Sequence, residues 1–314
     1  MHVDERVGSV GRVDVEAVVS HAARTRYLPA VLAFSKYEGL GNDFVIVDVD
    51  AWGSRPDRDA IAICDRFTGV GADGVLVVDD RTPSMRVINA DGSSSEMCGN
   101  GLRCVVLHLA RRARLGEQVA FTGPDVVVQT DAGPHPSVVV SSFDRGAEVE
   151  VHMRVPSLVP TDLPLVASAP LVDAPFVDGV RFTGVSMGNP HAVTFDVVDE
   201  RARLALGPRV QSDPRFPEGV NVGFARPIDP RDDVRTFDLD VFERGSGWTR
   251  ACGTGACAAA VAAVVTGRAR RHEPVVMRLP GGPLTITVGA DHEPVRMRGP
   301  ARHVFDGVLD ASFS

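Results

Sequence analysis

The chain has 314 residues, 44% of them hydrophobic and 24% charged, which is typical of a globular protein rather than a disordered or fibrous one. Its 33 Lys and Arg against 41 Asp and Glu give a formal net charge of -8. That balance argues against a nucleic-acid partner or an anionic membrane surface. The longest apolar run, 256–265, is too short to span a bilayer, and no secretory signal is recognisable. We therefore expect a cytoplasmic protein with a small-molecule substrate and neither a nucleic-acid nor a membrane partner.

The predicted elements are mostly short strands. Residues 1–33 differ in character from the rest and are predicted to be an N-terminal extension. Strands are predicted at 44–49, 74–78, 85–89, 126–130, 137–141, 149–155, 180–187, 192–196, 221–225, 236–242, 275–279, 284–288 and 295–297. Apolar residues at helical spacing, or a glycine-rich turn followed by an apolar run, predict helices at 58–67, 101–115 and 255–266.

The two halves of the chain resemble each other. Gly-Asn-Asp-Phe at 41–44 precedes a strand, and Cys-Gly-Asn-Gly at 98–101 later opens a helix. In the second half, Gly-Asn-Pro-His at 188–191 precedes a strand, and Cys-Gly-Thr-Gly at 252–255 opens a helix. This pattern predicts a duplicated unit, with domains at 34–152 and 153–298 and a C-terminal strand, 299–314, that returns to the first domain.

The two Cys-Gly-x-Gly turns are the strongest chemical signal. Unpaired amides and the positive end of a helix dipole stabilise a thiolate, so we expect depressed pKa values for Cys98 and Cys252. The adjoining amides can also hold a carboxylate. Two such turns facing one α-carbon would let a thiolate remove a proton from one face while a thiol delivers one to the other. The resting pair is then expected to be one thiolate and one thiol.

The remaining cysteines have a simpler interpretation. Cys64, Cys104 and Cys257 lie among apolar helical neighbours and are predicted to be buried structural thiols. The spacings between the cysteines are not those of a zinc site, and there is no Cys-x-x-Cys redox motif. We therefore expect no metal and no cofactor. Oxidation could still join Cys98 to Cys252 and inactivate the protein.

From residue 34 to the C-terminus the sequence resembles the diaminopimelate epimerases. The resemblance rests on several specific stretches: Gly-Leu-Gly-Asn-Asp-Phe at 39–44, Asn-Ala-Asp-Gly-Ser at 89–93, Met-Cys-Gly-Asn-Gly at 97–101, Ser-Met-Gly-Asn-Pro-His at 186–191, Gly-Val-Asn at 219–221, Glu-Arg-Gly at 243–245, Ala-Cys-Gly-Thr-Gly-Ala-Cys at 251–257 and Pro-Gly-Gly at 280–282. It implies an α+β fold of two pseudo-symmetric domains, each a curved, mostly antiparallel sheet or barrel around a central helix. It also implies a homodimer that interconverts LL- and meso-2,6-diaminopimelate in lysine biosynthesis, without a cofactor.

The resemblance also assigns roles by position. Cys98 and Cys252 match the catalytic pair. The positions that match the amides holding the reacting carboxylate are Gly99, Asn100, Gly253 and Thr254. Those that match the other substrate-binding residues are Asn42, Asn89, Asn189, Asn221, Glu243 and Arg244. His191 and Glu243 match residues thought to tune the thiol pKa values.

Two departures from the family pattern concern substrate choice. Gly74 stands where many relatives carry Gln, so one expected side-chain contact is missing. Trp248 stands where Glu is common, and we expect it to place a large aromatic ring near the site or the domain interface. The alternatives to a diaminopimelate epimerase are a racemase of another amino acid on the same fold, and a non-catalytic ligand-binding relative.

Overall fold

The structure is a computed structural model that describes residues 31–117, 119, 121, 123–228 and 235–310. Within these residues hydrogen bonds join seventeen strands into one continuous sheet, and helices are few. None of the described helices is both long enough and apolar enough to cross a lipid bilayer. The fold is therefore dominated by β structure, as the short alternating segments of the sequence predict.

The bounds of the elements in the first half follow chain order. They are β1 (Leu32–Gly39), β2 (Asn42–Asp48), α1 (Val49–Trp52), α2 (Asp59–Cys64), β3 (Gly74–Asp79), β4 (Ser84–Asn89), β5 (Ser94–Ser95), α3 (Gly99–Arg114), β6 (Asp125–Thr130), β7 (Gly133–Phe143) and β8 (Gly146–His152).

The second half begins with a 3-10 turn at Pro160–Asp162. Its other elements are β9 (Ala174–Val177), β10 (Val180–Ser186), β11 (Pro190–Thr194), α4 (Glu200–Gln211), β12 (Asn221–Pro227), β13 (Arg235–Glu243), β14 (Gly247–Thr249), α5 (Gly253–Val265), β15 (Pro274–Leu279), β16 (Gly282–Thr287) and β17 (Arg296–Leu309).

The strand pairing shows the duplication directly. In the first half β1 and β2 are antiparallel, β2 and β3 parallel, β3 and β4 antiparallel, β4 and β6 parallel, and β6 and β7 antiparallel. The second half gives the same alternation through β10, β11, β12, β13, β15 and β16. The predicted α+β fold of two similar halves is therefore confirmed.

The long strand β17 joins the two halves. Its first residues pair with β16, residues 296–302 pair with β8, and residues 302–309 pair with β1. A C-terminal segment thus lies antiparallel to the first described strand, which closes the sheet of the first half. The division of the chain at 33/34, 152/153 and 298/299 stays a prediction. Residues 1–30, and with them most of the predicted N-terminal extension, lie outside the described residues, as do 311–314.

Each half wraps its sheet around one helix. Residues 99–110 of α3 are buried, and so are residues 255–263 of α5. Helix α5 is apolar on nearly all sides, and such a helix is stable only when protein surrounds it. In α5 the buried side chains are mainly alanines, so the strands can approach its backbone closely. The predicted central helices are therefore present, and their N-termini point toward the junction of the halves.

The structure shortens one predicted helix and adds one that was not predicted. The helix predicted at 58–67 ends at Cys64, because the Asp65 carboxylate accepts hydrogen bonds from the amides of Phe67 and Thr68 and turns the chain. Phe67, the last residue of the predicted helix, is 97% exposed. Helix α4 was not predicted, since Pro208 lies within its sequence; the Asp199 side chain caps it by accepting from the Ala202 amide.

Candidate active site

Both cysteines of the glycine-rich turns cap a central helix. Cys98 has extended backbone angles, and its Sγ accepts a hydrogen bond from the Gly101 amide at 3.5 Å. Cys252 does the same at α5, where its Sγ accepts from the Gly255 amide at 3.3 Å. Capping by a side-chain acceptor satisfies one of the amides that the first turn of a helix leaves unpaired. The helices begin two residues earlier than predicted for this reason.

The two turns meet at Asn100. This side chain, 2% exposed, donates from Nδ2 to Asn42 Oδ1 at 3.2 Å and to the Ala251 carbonyl at 3.3 Å. Asn42 and Asn100 belong to the first half, while Ala251 directly precedes Cys252 in the second. The N-termini of α3 and α5 therefore adjoin at the junction of the two halves, with one sulfur at each. We call this junction, where the sequence motifs lead us to expect the substrate, the cleft.

The glycine at the start of each helix lies against the side chain of Met297. A Cβ on Gly99 would lie 2.8 Å from Met297 Cε, and one on Gly253 would lie 3.2 Å from Met297 Sδ and 3.6 Å from Asn100 Oδ1. Side chains at these positions would crowd the flexible thioether of Met297. Without them, the first-turn amides remain open to a bound anion.

The expected depression of the two thiol pKa values is wrong. Burial raises the pKa of Cys98, and hydrogen bonds from the Gly101 and Asn100 amides offset this only in part. Burial raises the pKa of Cys252 well above the ordinary value, and the Glu243 charge raises it further against the hydrogen bonds from Thr254 and Gly255. Desolvation of a thiolate outweighs the helix N-terminus here, so the resting pair is two thiols.

Glu243 lies beside Cys252 on the same side of the cleft. It accepts a hydrogen bond from the Thr249 hydroxyl, and burial raises the pKa of its carboxyl while that bond and one from Cys252 lower it. Its charge also raises the pKa of Cys98. The charge of one carboxylate thus raises the pKa values of both thiols.

His191 reaches Cys252 through two intermediaries. The buried imidazole Nε2 donates to Asn189 Oδ1 at 3.0 Å, Asn189 Nδ2 donates to Thr254 Oγ1 at 3.3 Å, and Thr254 Oγ1 lies 3.6 Å from Cys252 Sγ. Burial and the Arg244 charge lower the pKa of His191 to about 3. The ring is therefore neutral at neutral pH, and it can influence the thiol by orienting this chain rather than by its own charge.

Asn221 and Arg244 are hydrogen-bonded to each other in the second half. Asn221 Nδ2 donates to the Pro190 carbonyl at 3.0 Å, and its Oδ1 accepts from the Arg244 amide at 2.8 Å. The Arg244 guanidinium donates to the Glu218 carbonyl at 2.9 Å, and no carboxylate of the described residues forms an ion pair with it. A guanidinium without a carboxylate can grip one from a ligand.

The first half contributes Asn42 and Asn89. Asn42 Nδ2 donates to Asp73 Oδ2 at 2.6 Å, and Asn89 Nδ2 donates to Ser93 Oγ at 3.0 Å. Asp73 also accepts from Arg66 at 2.7 Å. The sequence interpretation missed Asp73, which directly precedes Gly74. Asp73 orients Asn42 and so belongs to the surroundings of the cleft.

Gly74 lies in a crowded backbone position. It pairs with Asn89 across β3 and β4, and a Cβ there would lie 2.8 Å from the Ile88 carbonyl oxygen. A longer side chain at this position therefore requires the two strands to move apart. Glycine fits this backbone, although it cannot make the side-chain contact expected of Gln.

Trp248, expected near the site or the domain interface, packs on the outer face of β13. Its ring packs against Phe242 with centroids 5.2 Å apart and against Phe224 at 5.8 Å, and the Arg203 guanidinium lies 5.1 Å from its centroid. A Cβ on Gly207 of α4 would lie 3.2 Å from Trp248 Cζ2. The indole therefore covers the outer side of β13 under α4, a helix that the sequence interpretation lacked.

The other cysteines are buried free thiols. Burial raises the pKa of Cys64 to about 11 and that of Cys257 to about 12, and it raises the pKa of Cys104 as well. Within the part of the chain that the structure describes, no group of three or more His, Cys, Asp and Glu side chains is placed to hold a metal ion.

Comparison with known proteins matches this architecture to one family. The family model described as diaminopimelate epimerase matches residues 34–159 and 183–304. A diaminopimelate epimerase of Desulforudis audaxviator (strain MP104C) is 42% identical over 286 residues, covering 88% of this chain and 98% of the relative. One of Geobacillus kaustophilus (strain HTA426) is 38% identical over 289 residues, covering 88% and 96%.

Solved structures share the fold at low sequence identity. A hydroxyproline epimerase from Agrobacterium vitis, with bound trans-4-hydroxy-L-proline, is 18% identical with a TM-score of 0.60, covering 92% of this chain and 94% of its own. A Bacillus anthracis phenazine biosynthesis protein of the PhzF family is 14% identical with a TM-score of 0.63, covering 89% and 99%. The structural likeness shows the fold, and the sequence matches show the family: the chain belongs to the diaminopimelate epimerase family.

Proposed function

We propose that the protein interconverts LL- and meso-2,6-diaminopimelate by proton transfer at one α-carbon between Cys98 and Cys252. The observation that carries the proposal is the pair of cysteine-capped helix N-termini, joined across one cleft by the hydrogen bond from Asn100 to the Ala251 carbonyl. Two sulfurs on opposite sides of a bound α-carbon are what stereochemical inversion requires. No cofactor or metal has a step in this mechanism.

The helix N-termini bind the reacting end of the substrate in this mechanism. The amides of Gly99, Asn100, Gly253 and Thr254 lie in the first turns of α3 and α5, where helix geometry leaves them without intrahelical partners. They hold the α-carboxylate and stabilise the negative charge that develops when the α-proton leaves. The weak acidity of that proton makes this stabilisation the main task of the cleft.

The distal amino-acid end meets the side chains around the cleft. Arg244 binds the distal carboxylate, since its guanidinium has no carboxylate partner among the described residues. The side chains that orient the remaining ammonium and carboxylate groups are Asn42, Asn89, Asn189, Asn221 and Glu243. A substrate with two amino-acid ends makes use of both the helix-end amides and this outer set, whereas a simple amino acid would use only the amides.

Catalysis needs one thiolate and one thiol, so one of the two thiols first gives its proton to the solvent. The thiolate takes the α-proton and becomes a thiol, while the opposite thiol gives its proton to the other face of the carbanion and becomes the thiolate. The protein therefore ends each turnover with the two roles exchanged. His191 and Glu243 modulate the thiol pKa values, the first through Asn189 and Thr254 and the second by its charge.

The test is epimerisation of LL-diaminopimelate by reduced protein in D2O, following the meso product and deuterium at the α-carbon. We expect wild type to form deuterated meso product and Cys98→Ala and Cys252→Ala to lose it. Cys257→Ala is the matched control, because it removes a buried sulfur from α5 outside the cleft and should keep the activity. Folded wild type that exchanges no α-proton of diaminopimelate, yet exchanges that of another amino acid, would show a racemase of different specificity.

Three further expectations accompany this function. The resemblance to the family suggests a homodimer, which sedimentation equilibrium of the purified chain would test. The net charge of -8 suggests no nucleic-acid partner. A cytoplasmic location would suit free thiols as the working groups, because that compartment keeps cysteines reduced.

A further inference from the structure

Arg103 is a buried cation whose hydrogen-bond partners are neutral oxygens. Its side chain is 0% exposed, and no carboxylate of the described residues forms an ion pair with it. Its guanidinium donates to the Pro300 carbonyl at 3.2 Å, to the Gly99 carbonyl at 3.4 Å and to Asn100 Oδ1 at 3.1 Å. Burying an unpaired charge is costly, and neutral acceptors compensate it only in part. We therefore infer that the buried charge of Arg103 has a role other than packing.

The guanidinium lies directly behind the two helix N-termini. Arg103 stands one turn after Gly99 on α3, and its Nη1 is 3.9 Å from Met297 Sδ. A Cβ on Gly253, at the start of α5, would lie 3.2 Å from that same sulfur. Space for the guanidinium depends on Gly39, where a Cβ would lie 3.1 Å from Nη2. The charge is thus placed next to both first turns.

Arg103 also sets the orientation of Asn100. Because Arg103 donates to Asn100 Oδ1, the amide must turn its Nδ2 toward Asn42 Oδ1 and the Ala251 carbonyl. The contact between the two halves at the cleft therefore depends on the guanidinium fork. A lysine would retain the charge there but not the fork geometry.

We propose that Arg103 is a positioning residue for the epimerisation, supplying from behind the helix N-termini the fixed positive charge that an anion in the cleft requires and holding Asn100 across the two halves. The role in epimerisation rests on the proposed function. The effect of the Arg103 charge on the Cys98 thiol does not. The charge of Arg103 stabilises three anions in a site of low dielectric: the Cys98 thiolate, the bound carboxylate and the carbanion. In agreement, the Arg103 charge lowers the pKa of Cys98 against the effect of burial.

The test measures the pH dependence of Cys98 alkylation by iodoacetamide, followed by mass spectrometry of the peptide that contains Cys98. In Arg103→Met we expect the pKa of Cys98 to rise by roughly one unit or more. Arg103→Lys should keep the wild-type pKa yet raise KM for diaminopimelate, because it loses the bond that orients Asn100. Arg111→Met is the matched control, because it also removes a positive charge from α3. Arg111 forms an ion pair with Asp306 and does not lie next to the two glycine-rich turns.

The outcomes separate the two proposals. An unchanged pKa of Cys98 in folded Arg103→Met, or an equal rise in Arg111→Met, would overturn the role of Arg103. If Arg103→Met fails to fold, Arg103→Gln, which keeps one donor for Asn100 Oδ1, gives the same pKa comparison. Alkylation needs no turnover, so a protein inactive on diaminopimelate would contradict the proposed function without affecting this measurement.

Discussion

Acidification is expected to destabilise the fold through histidines that are buried in the neutral form. His108 on α3 lies within 3.2 Å of the Tyr37 hydroxyl, and burial with the charges of Arg112 and Arg111 lowers its pKa to about 3. Burial lowers the pKa of His191 to about 3 as well. A histidine with a depressed folded-state pKa contributes its stability above the unfolded-state pKa of 6.5. That stability is lost as the pH falls from 6.5 toward about 3.

The loss is large enough to measure. At about pH 5 each of these histidines is protonated in the unfolded state and neutral in the folded state. Since one pKa unit corresponds to about 1.4 kcal/mol, each ring should cost about 2 kcal/mol of unfolding free energy between about pH 7 and pH 5. Glu243 acts in the opposite direction, because burial raises the pKa of its carboxyl. The comparison must therefore be made between variants rather than on wild type alone.

Urea unfolding of wild type and His108→Gln at a series of pH values makes that comparison. We expect the free-energy difference between the two proteins to shrink by about 2 kcal/mol on going from about pH 7 to pH 5, because the variant lacks the titrating ring. His292→Gln is the control at an exposed histidine. Parallel pH profiles for wild type and His108→Gln would refute the argument that burial holds this ring neutral.

Three other predictions test packing and binding separately. Gly281→Ala should destabilise the protein by about 3 kcal/mol in urea unfolding, because its Cβ would lie 1.9 Å from the Leu40 carbonyl oxygen; Gly123→Ala, in open space, should not. Trp248→Leu should lower stability by about 2 kcal/mol while leaving KM for diaminopimelate unchanged, and a raised KM would mean that the ring reaches the cleft after all. Arg244→Lys should raise KM at least tenfold with a smaller change in kcat, since a lysine cannot bind a carboxylate bidentately; equal effects on both constants would count against a binding role.

Local patterns predicted the chemistry of the cleft better than its electrostatics. Cys98 and Cys252 could be identified because glycines follow each of them and a helix begins there. Their raised pKa values could not, because burial arises from strands distant in sequence. Asp73 and Arg103 were missed for the same reason: their partners, Asn42 and Pro300, are brought to them only by the folded sheet.

The helices and strands were predicted with unequal success. Alternating segments identified most strands, and the alanine run identified α5, because these signals depend on neighbouring residues alone. Helix α4 was missed because Pro208 obscured a capped, weakly patterned segment. Trp248 was then misplaced, since the surface that covers its ring belongs to that helix.

The amino-acid sequence by itself determined the duplicated α+β fold, the two cysteine-capped helices and the family to which the chain belongs, because each of these is written in short, contiguous motifs. Only the tertiary structure decided how the two turns meet. Three features join residues from different elements: the contact through Asn100, the burial that keeps both thiols protonated, and the buried charge of Arg103 next to the two turns. Such features depend on distance and dielectric in the folded state, which no local pattern contains.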